Sequence, residues 1–257
     1  MRYYVTADVH GYFDELKKAL AEQGYFTDTE PHKLVICGDL YDRGKQASAL
    51  QAFILDLMEK EEIILIRGNH EDLTLDLLQG WYDGSYLKYH HHSNGTIDTV
   101  CQLPGANLDN LRYRPEVVEK RLADNPYIQI IIPSMKDYYE TAHYIFVHGW
   151  IPCTTIKRSP EHTEYVPIPN WRNADAALRS KARWINGMAA AHAGITEAGK
   201  TIVCGHWHCS FGHAKYEGKG GEFDDNPDFS PYCAKGILAI DACTAVSGKV
   251  NCIVIDD

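Results

Sequence analysis

The sequence predicts an α/β fold in which two mixed β-sheets pack face to face, flanked by helices on their outer surfaces. Three observations predict it. Strand-like apolar runs alternate with helix-like segments in the first third of the chain. Short strand-like runs return in the second half. Hydrophobic residues make up 45% of the 257 residues, enough for a sizeable core. Strand, helix, strand, helix, strand calls for parallel βαβ units with right-handed crossovers. Short late strands added to such units make a second layer.

Taken in order, residues 2–6 read as the first strand, carried by Tyr3, Tyr4 and Val5. Residues 14–23 read as a helix closed by Gly24, a residue type favoured just past a helix end. Residues 33–37, with the apolar run Leu34 to Cys37, read as a buried strand. Over residues 46–60, Leu50, Phe53, Ile54, Leu57 and Met58 recur at helical spacing. Residues 63–66 read as a third buried strand. From 81 to 141 the composition turns to Tyr, Asn, Pro and charge, with a polar helix at 114–123. Few long apolar runs are available there for a separate core. This stretch is therefore expected to be a cap-like insertion within one domain spanning 1–257. Strand character returns at 128–133, 144–147, 201–204, 236–241 and 250–255, with Ser247 and Gly248 as an expected hairpin turn between the last two.

The formal net charge is −10. Such a chain lacks the broad basic surface that extended nucleic acid or an anionic membrane would need. It can still bind phosphate if a local cation supplies the positive field. None of the 8 cysteines forms a C-x-x-C pair, and Cys37 sits in an apolar run where a thiol acts as a small hydrophobe. The chain opens on a strand-like segment, and no apolar stretch approaches the ~18 residues of a membrane span. The expectation is a reduced, cytoplasmic protein.

The chemistry lies at the strand ends. The first strand is followed by Asp8, His10 and Gly11, and the second by Gly38, Asp39, Asp42, Arg43 and Gly44. The third leads to Gly68, Asn69, His70 and Glu71. Later runs end in His148-Gly149 and in Gly205, His206, Trp207 and His208. Ligands of α/β folds bind outside the carboxyl ends of strands, so five clusters should converge on one edge. Carboxylate and imidazole groups are the ligands that a pair of divalent cations takes, and one carboxylate can bridge both. Glycine beside each ligand lets the backbone turn sharply. Each cluster alone is ordinary loop chemistry; five in order, each after an apolar strand, are not. The adjacent His90, His91 and His92 cannot all face one metal and read as a solvated loop.

Asp8-x-His10-Gly11, Gly38-Asp39-x-x-Asp42-Arg43-Gly44 and Gly68-Asn69-His70-Glu71 resemble the signature of the phosphoprotein phosphatase branch of the calcineurin-like metallophosphoesterases, in its bacterial and phage form. The symmetrical diadenosine tetraphosphatases share these motifs. His148-Gly149 and Gly205-His206 resemble the later metal motifs. The resemblance spans residues 8 to about 208, apart from the middle stretch, and implies the αββα metallophosphoesterase fold. It implies that Asp8, His10 and Asp39 bind one metal and that Asp39, Asn69, His148 and His206 bind a second. His208 joins the ligands by likeness to other calcineurin-like phosphoesterases. His70 would be the general acid, oriented by Asp42, while Arg43, Asn69 and a second arginine hold phosphate. Of Arg172, Arg179 and Arg183, Arg183 best matches the bacterial pattern. A hydroxide between the metals would attack phosphorus.

The function so implied is two-metal hydrolysis of phosphate monoesters, on a phosphorylated protein or a small ester. Manganese is the expected metal, with iron, zinc or nickel as alternatives. The alternative is a dinucleoside polyphosphate hydrolase; a phosphodiesterase or an inactive binding scaffold ranks lower. Substrate choice is expected to lie in the stretch 81–141 and in the loop 152–171, both rich in Tyr, Trp and Pro, which can stack on a base or pack a peptide.

Overall fold

The computed structural model describes residues 1–83, 88–159 and 162–257. The parts of the expected insertion at 84–87 and of the 152–171 loop at 160–161 lie outside the described residues. The first sheet has the order β11-β1-β2-β3. Its strands are β1 (Arg2–Thr6), β2 (His32–Cys37), β3 (Ile63–Ile66) and β11 (Ile253–Asp256). β1, β2 and β3 run parallel, with Val5 opposite Val35 and Val35 opposite Ile64. β11 is antiparallel to β1.

The second sheet has the order β4-β5-β8-β10-β9. It comprises β4 (Tyr139–Glu140), β5 (Tyr144–Phe146), β8 (Thr201–Cys204), β9 (Tyr232–Ala234) and β10 (Ile237–Ala239). β5, β8 and β10 are parallel, and β4 and β9 are antiparallel edges. Both sheets are therefore mixed. A separate two-stranded hairpin is formed by β6 (Cys153–Ser159) and β7 (His162–Pro167).

Period-two alternation decides what each sheet face meets. Tyr3, Val5, Val35, Cys37, Ile64 and Ile66 point between the sheets, against Phe146, Val203 and Ile240. Their alternates, Tyr4, Leu34, Ile36 and Leu65, face helices α1 (Phe13–Glu22) and α2 (Ala47–Glu59) through Leu16, Leu20, Leu50 and Ile54. On the far side, Ile145, Ile202 and Ile237 pack under Met188 and Ala190 of helix α10 (Gly187–His192) and beside Ala182, the last residue of α9 (Ala176–Ala182). The layer order is helix, sheet, sheet, helix. Each fully buried Leu or Ile side chain contributes about 1.5–3 kcal/mol.

The middle of the chain is helical: α3 (Asn69–Asp83), α4 (Tyr89–Ser93), α5 (Thr96–Gln102), α6 (Leu108–Tyr113) and α7 (Pro115–Ala123). Leu77, Leu78, Ile97, Val100, Leu111, Val118 and Leu122 share a small core there. Two expected elements differ. Residues 128–133 are not a strand: a π-helical turn Tyr127–Ile131 runs into α8 (Ile132–Ser134). Asn125 leads into this turn, its side-chain oxygen accepting from Tyr127 N at 2.9 Å, and Tyr127 and Ile131 are buried one helical turn apart. Nor do Ser247 and Gly248 make a hairpin. Ser247 ends α12 (Thr244–Ser247), Gly248 closes it with φ 64°, and the flanking strands β10 and β11 belong to different sheets. The remaining α-helix among the described residues is α11 (Cys209–Gly212). Among the described residues, no helix is long and apolar enough to cross a membrane.

Candidate metal centre

Parallel strands present their carboxyl ends on one edge. Asp8 and His10 follow β1; Asp39, Asp42 and Arg43 follow β2; Asn69 and His70 open α3 after β3; His148 follows β5; His206 follows β8. The loops are tied across the two sheets. His148 Nδ1 donates to the Cys37 carbonyl at 2.8 Å, and the backbone N–H of His206 donates to the Asp8 carboxylate at 2.9 Å. Backbone strain collects here. Asp8, His10, Asp39, Asp42, Arg43 and His206 have φ between 50° and 73°. The left-handed region costs a non-glycine residue on the order of 1–3 kcal/mol. Such conformations persist where the surroundings over-determine them, as at functional sites. A side chain on Gly68 would collide with the Asp39 carboxylate, and one on Gly205 with that of Asp8; only glycine lets these loops approach so closely.

Asp39 is the hub. Its Oδ2 lies 3.7 Å from Nε2 of both His10 and His70. Its Oδ1 lies 3.3 Å from Nε2 of His148 and accepts from His70 N at the head of α3 at 3.0 Å, where the helix dipole favours a negative group. Ligand-type atoms of His10, Asp39 and His70 form one cluster, each within 4.8 Å of the others, and those of Asp39, His148 and His206 form a second. Asp39 belongs to both.

The hydrogen bonds fix which nitrogens are free. A carbonyl only accepts, so Nδ1 of His10, 2.8 Å from the Tyr41 carbonyl, is the donor, and Nδ1 of His148 donates likewise to Cys37. In the neutral rings both Nε2 atoms are bare. Nε2 of His148 then faces Asn69 Oδ1 at 2.7 Å and Asp39 Oδ1 at 3.3 Å. Three acceptors pointing at one another repel unless a cation lies among them, so this donor set fits a divalent metal. At His10, Nε2 accepts from Arg43 Nη1 at 2.6 Å.

The charge states agree. Burial, then Arg43 and His70, pushes the His10 imidazolium well down. Burial, then His148, brings His206 to about 3, and burial lowers His148. These rings stay neutral with a lone pair to offer. His70 goes the other way: although burial opposes it, Asp39 and Asp42 raise its pKa. Asp39 is also buried, yet its carboxyl is held well below the usual carboxylate range, because His148 first, with His70, His10 and His206, gains charge in acid and opposes its protonation.

Residues 1–210 match the family model of the calcineurin-like phosphoesterases. The chain belongs to that family. Calcineurin-like phosphoesterases are metal-dependent phosphoester hydrolases. The chain is 33% identical over 101 residues to the serine/threonine-protein phosphatase 4 catalytic subunit of Kluyveromyces lactis, a match covering 38% of this chain and 30% of that protein. It is 34% identical over 89 residues to the serine/threonine-protein phosphatase 6 catalytic subunit of Caenorhabditis elegans, covering 34% and 26%. The chain thus spans less than a third of the length of these curated relatives. Among solved structures, a mutant cold-active protein tyrosine phosphatase superposes with a TM-score of 0.51 at 17% identity, over 100% of this chain and 75% of that one; this likeness concerns the fold.

Within this calcineurin-like site, Nδ1 of His70 donates to Asp42 Oδ2 at 2.6 Å. Asp42 accepts from Thr96 Oγ1 at 2.8 Å and Thr99 Oγ1 at 2.6 Å, so α5 steadies the His70 partner. Asp8 is buried but stands outside both clusters of ligand atoms. Two expected residues are placed differently. His208 turns away: its Nδ1 meets Ser210 Oγ at 2.9 Å and its Nε2 lies 3.2 Å from Glu222, outside both clusters. Arg183 directs three of its five N–H donors at Asp72, 2.9 and 3.3 Å, and Asp137, 2.7 Å, so two carboxylates hold its guanidinium.

His90 and His91 are not solvated loop either. They lie on α4 with Nε2 at 3.2 and 3.1 Å from Asp76 Oδ2, and His91 is buried. Two acidic residues take parts that the strand-end pattern does not assign. Glu71 accepts backbone N–H bonds from Gly68 at 2.7 Å, Leu40 at 3.0 Å and Asp39 at 3.1 Å, locking two ligand loops together. Asp241 follows β10 on the same edge, and burial pushes its carboxyl up to about 6. Its place after an apolar strand was the signal available.

Proposed function

We propose that the chain is a two-metal phosphomonoesterase acting on a phosphorylated protein or a small phosphate ester. The observation that carries this reading is Asp39, whose two oxygens face separate groups of imidazole nitrogens. His10 and Asp39, with Asp8 behind them, would hold one cation; Asp39, Asn69, His148 and His206 would hold the other. Two divalent cations there, manganese first, would offset phosphoryl charge and supply a nucleophile from water near neutral pH.

The chain's own residues do the rest. Arg43 presents a planar fork to the phosphate oxygens. Its Nη1 now rests on Nε2 of His10 and its Nη2 lies 3.3 Å from Nε2 of His70; a cation on His10 would take the first of these acceptors and free that arm of the fork. His70 holds the proton for the leaving oxygen at Nε2, because its Nδ1 is committed to Asp42. The single-domain reading is supported by Thr96 and Thr99 of α5 reaching Asp42. A monoester dianion uses all of the converging positive charge, whereas a diester carries one charge less.

Turnover of a phosphotyrosine peptide, a phosphoserine peptide, diadenosine tetraphosphate and a bis-aryl diester, side by side with manganese, tests the reading. The expected result is the highest kcat/KM on a monoester. A bis-aryl diester exceeding its matching aryl monoester overturns it, and a dominant tetraphosphate moves the function to dinucleoside polyphosphate hydrolysis.

A further inference from the structure

An open groove of about 980 Å³ lies beside His206. Its inner end is walled by Trp184 and Trp207, whose rings pack on the His206 ring at centroid distances of 5.9 and 6.0 Å. Trp184 is 49% exposed, an unusual state for so large an aromatic surface. The β6–β7 hairpin forms another wall through residues such as Thr155 and Tyr165, and Phe211 and Tyr216 line the groove as well.

The groove's charge runs against that of the chain. The protein carries −10, yet no Asp or Glu lines the groove, whereas Lys181 and Lys215 do. Both lysines are exposed. Lys215 rests over the Phe211 ring at 5.0 Å, and neither lysine makes an ion pair among the described residues. The volume is at the upper end for small-ligand sites, about 300–1,000 Å³, and exceeds what one phosphorylated side chain would fill. β6 and β7 pair only with each other among the described residues. Their outer edges therefore carry free backbone donors and acceptors of the kind an extended peptide uses.

We propose that this groove binds the peptide flanking the phosphorylated residue and selects acidic side chains in it. The inference rests on the monoesterase reading and names its substrate class. Aromatic faces give flat contact at low entropic cost, and the two unpaired ammonium groups give the sign preference. An extended acidic segment uses the rings, the lysines and the strand edge together; a nucleotide uses the rings and charge but not the edge.

Two measurements test it. The first compares kcat/KM of the manganese-loaded protein on phosphopeptides that differ only in flanks of Glu, Gln or Lys. Two surface charge contacts predict an acidic-to-neutral ratio of about tenfold at low salt, shrinking as salt screens the charges. In the Lys181→Glu/Lys215→Glu double variant the ratio should fall below one, because the reversed charges repel acidic flanks, a comparison internal to each protein and independent of its folded fraction. The second is fluorescence anisotropy of a labelled, unphosphorylated Glu-rich decapeptide on metal-free protein, which should show binding that the double variant loses. Equal kcat/KM for all three flanks, or a label displaced by a nucleoside tetraphosphate but not by unlabelled acidic peptide, overturns the groove inference and leaves the esterase reading standing. Lysine-dependent peptide binding without turnover of any phosphopeptide supports the groove and sinks the esterase reading.

Discussion

Arg43 Nη1 donates to Nε2 of His10 across 2.6 Å, occupying the lone pair that a cation would need. Guanidinium and metal therefore compete for one atom. Arg43→Ala should bind divalent cations at least as tightly as the wild type, measured by competition with a chromogenic chelator. The same variant should lose about 10²–10³ in kcat/KM on an aryl monoester and clearly less on a diester. Weaker metal binding in the variant would contradict this picture of the pair.

His70 is tied to Asp42, and Asp42 to Thr96 and Thr99. That chain of hydrogen bonds suits an acid that protonates a leaving oxygen, and an acid matters most for a poor leaving group. His70→Asn should slow an alkyl phosphate such as phosphoserine by about 10²–10⁴, and an activated aryl phosphate much less. Equal losses on both would assign His70 to metal ligation or structure.

The convergence of the five strand ends was legible because parallel strands force consecutive carboxyl ends onto one edge, which puts Asp8, Asp39, Asn69, His148 and His206 on that edge; their part in binding metal belongs to the proposal. What failed was local. Residues 128–133 carry Ile128, Ile130, Ile131 and Ile132, a β-branched run that favours a strand, yet Asn125 and Pro126 start a helical turn that buries Tyr127 and Ile131. His208 follows His206 by two residues, and that spacing puts it at the start of α11, facing Glu222. Arg183 illustrates a different limit. Its partners Asp72 and Asp137 are 111 and 46 residues away in sequence, so only the fold reveals that it is ion-paired.

Glu71 joins the loops bearing Asp39 and Asn69 through three backbone N–H bonds. An amide in its place keeps one acceptor oxygen and turns a donor toward the others. Glu71→Gln should therefore cost about 1–3 kcal/mol of stability and about 10- to 100-fold in metal affinity, as loss of a supporting partner does. Urea unfolding and chelator competition read the two effects. A variant that loses stability but binds metal normally would show that Glu71 does not orient the ligands.

Glu140 links β4 to Arg172 at 2.7 Å and to Lys200 at 2.9 Å. The Arg172 hydrogen bonds first, and then Lys200, hold its carboxyl down at about 2, against about 4.3 in an unfolded chain. A depressed folded pKa means stability that is present above the unfolded value and lost as pH falls towards 2. Glu140→Gln should be less stable than wild type at pH 7, modestly because solvent screens the cluster. The gap should close as pH falls from about 4.3 towards 2. A gap that is constant over this range would mean that the charge is not what Glu140 contributes.

Everything proposed for catalysis depends on Asp39 serving two metals at once. The most direct measurement is the metal content of chelator-stripped protein reloaded with manganese, read by elemental analysis, for the wild type and for Asp39→Asn. The account predicts two ions per wild-type chain and loss of both in Asp39→Asn, with His148→Asn keeping one. A fully active wild type holding one ion or none, or an Asp39→Asn variant that still holds two, would contradict it.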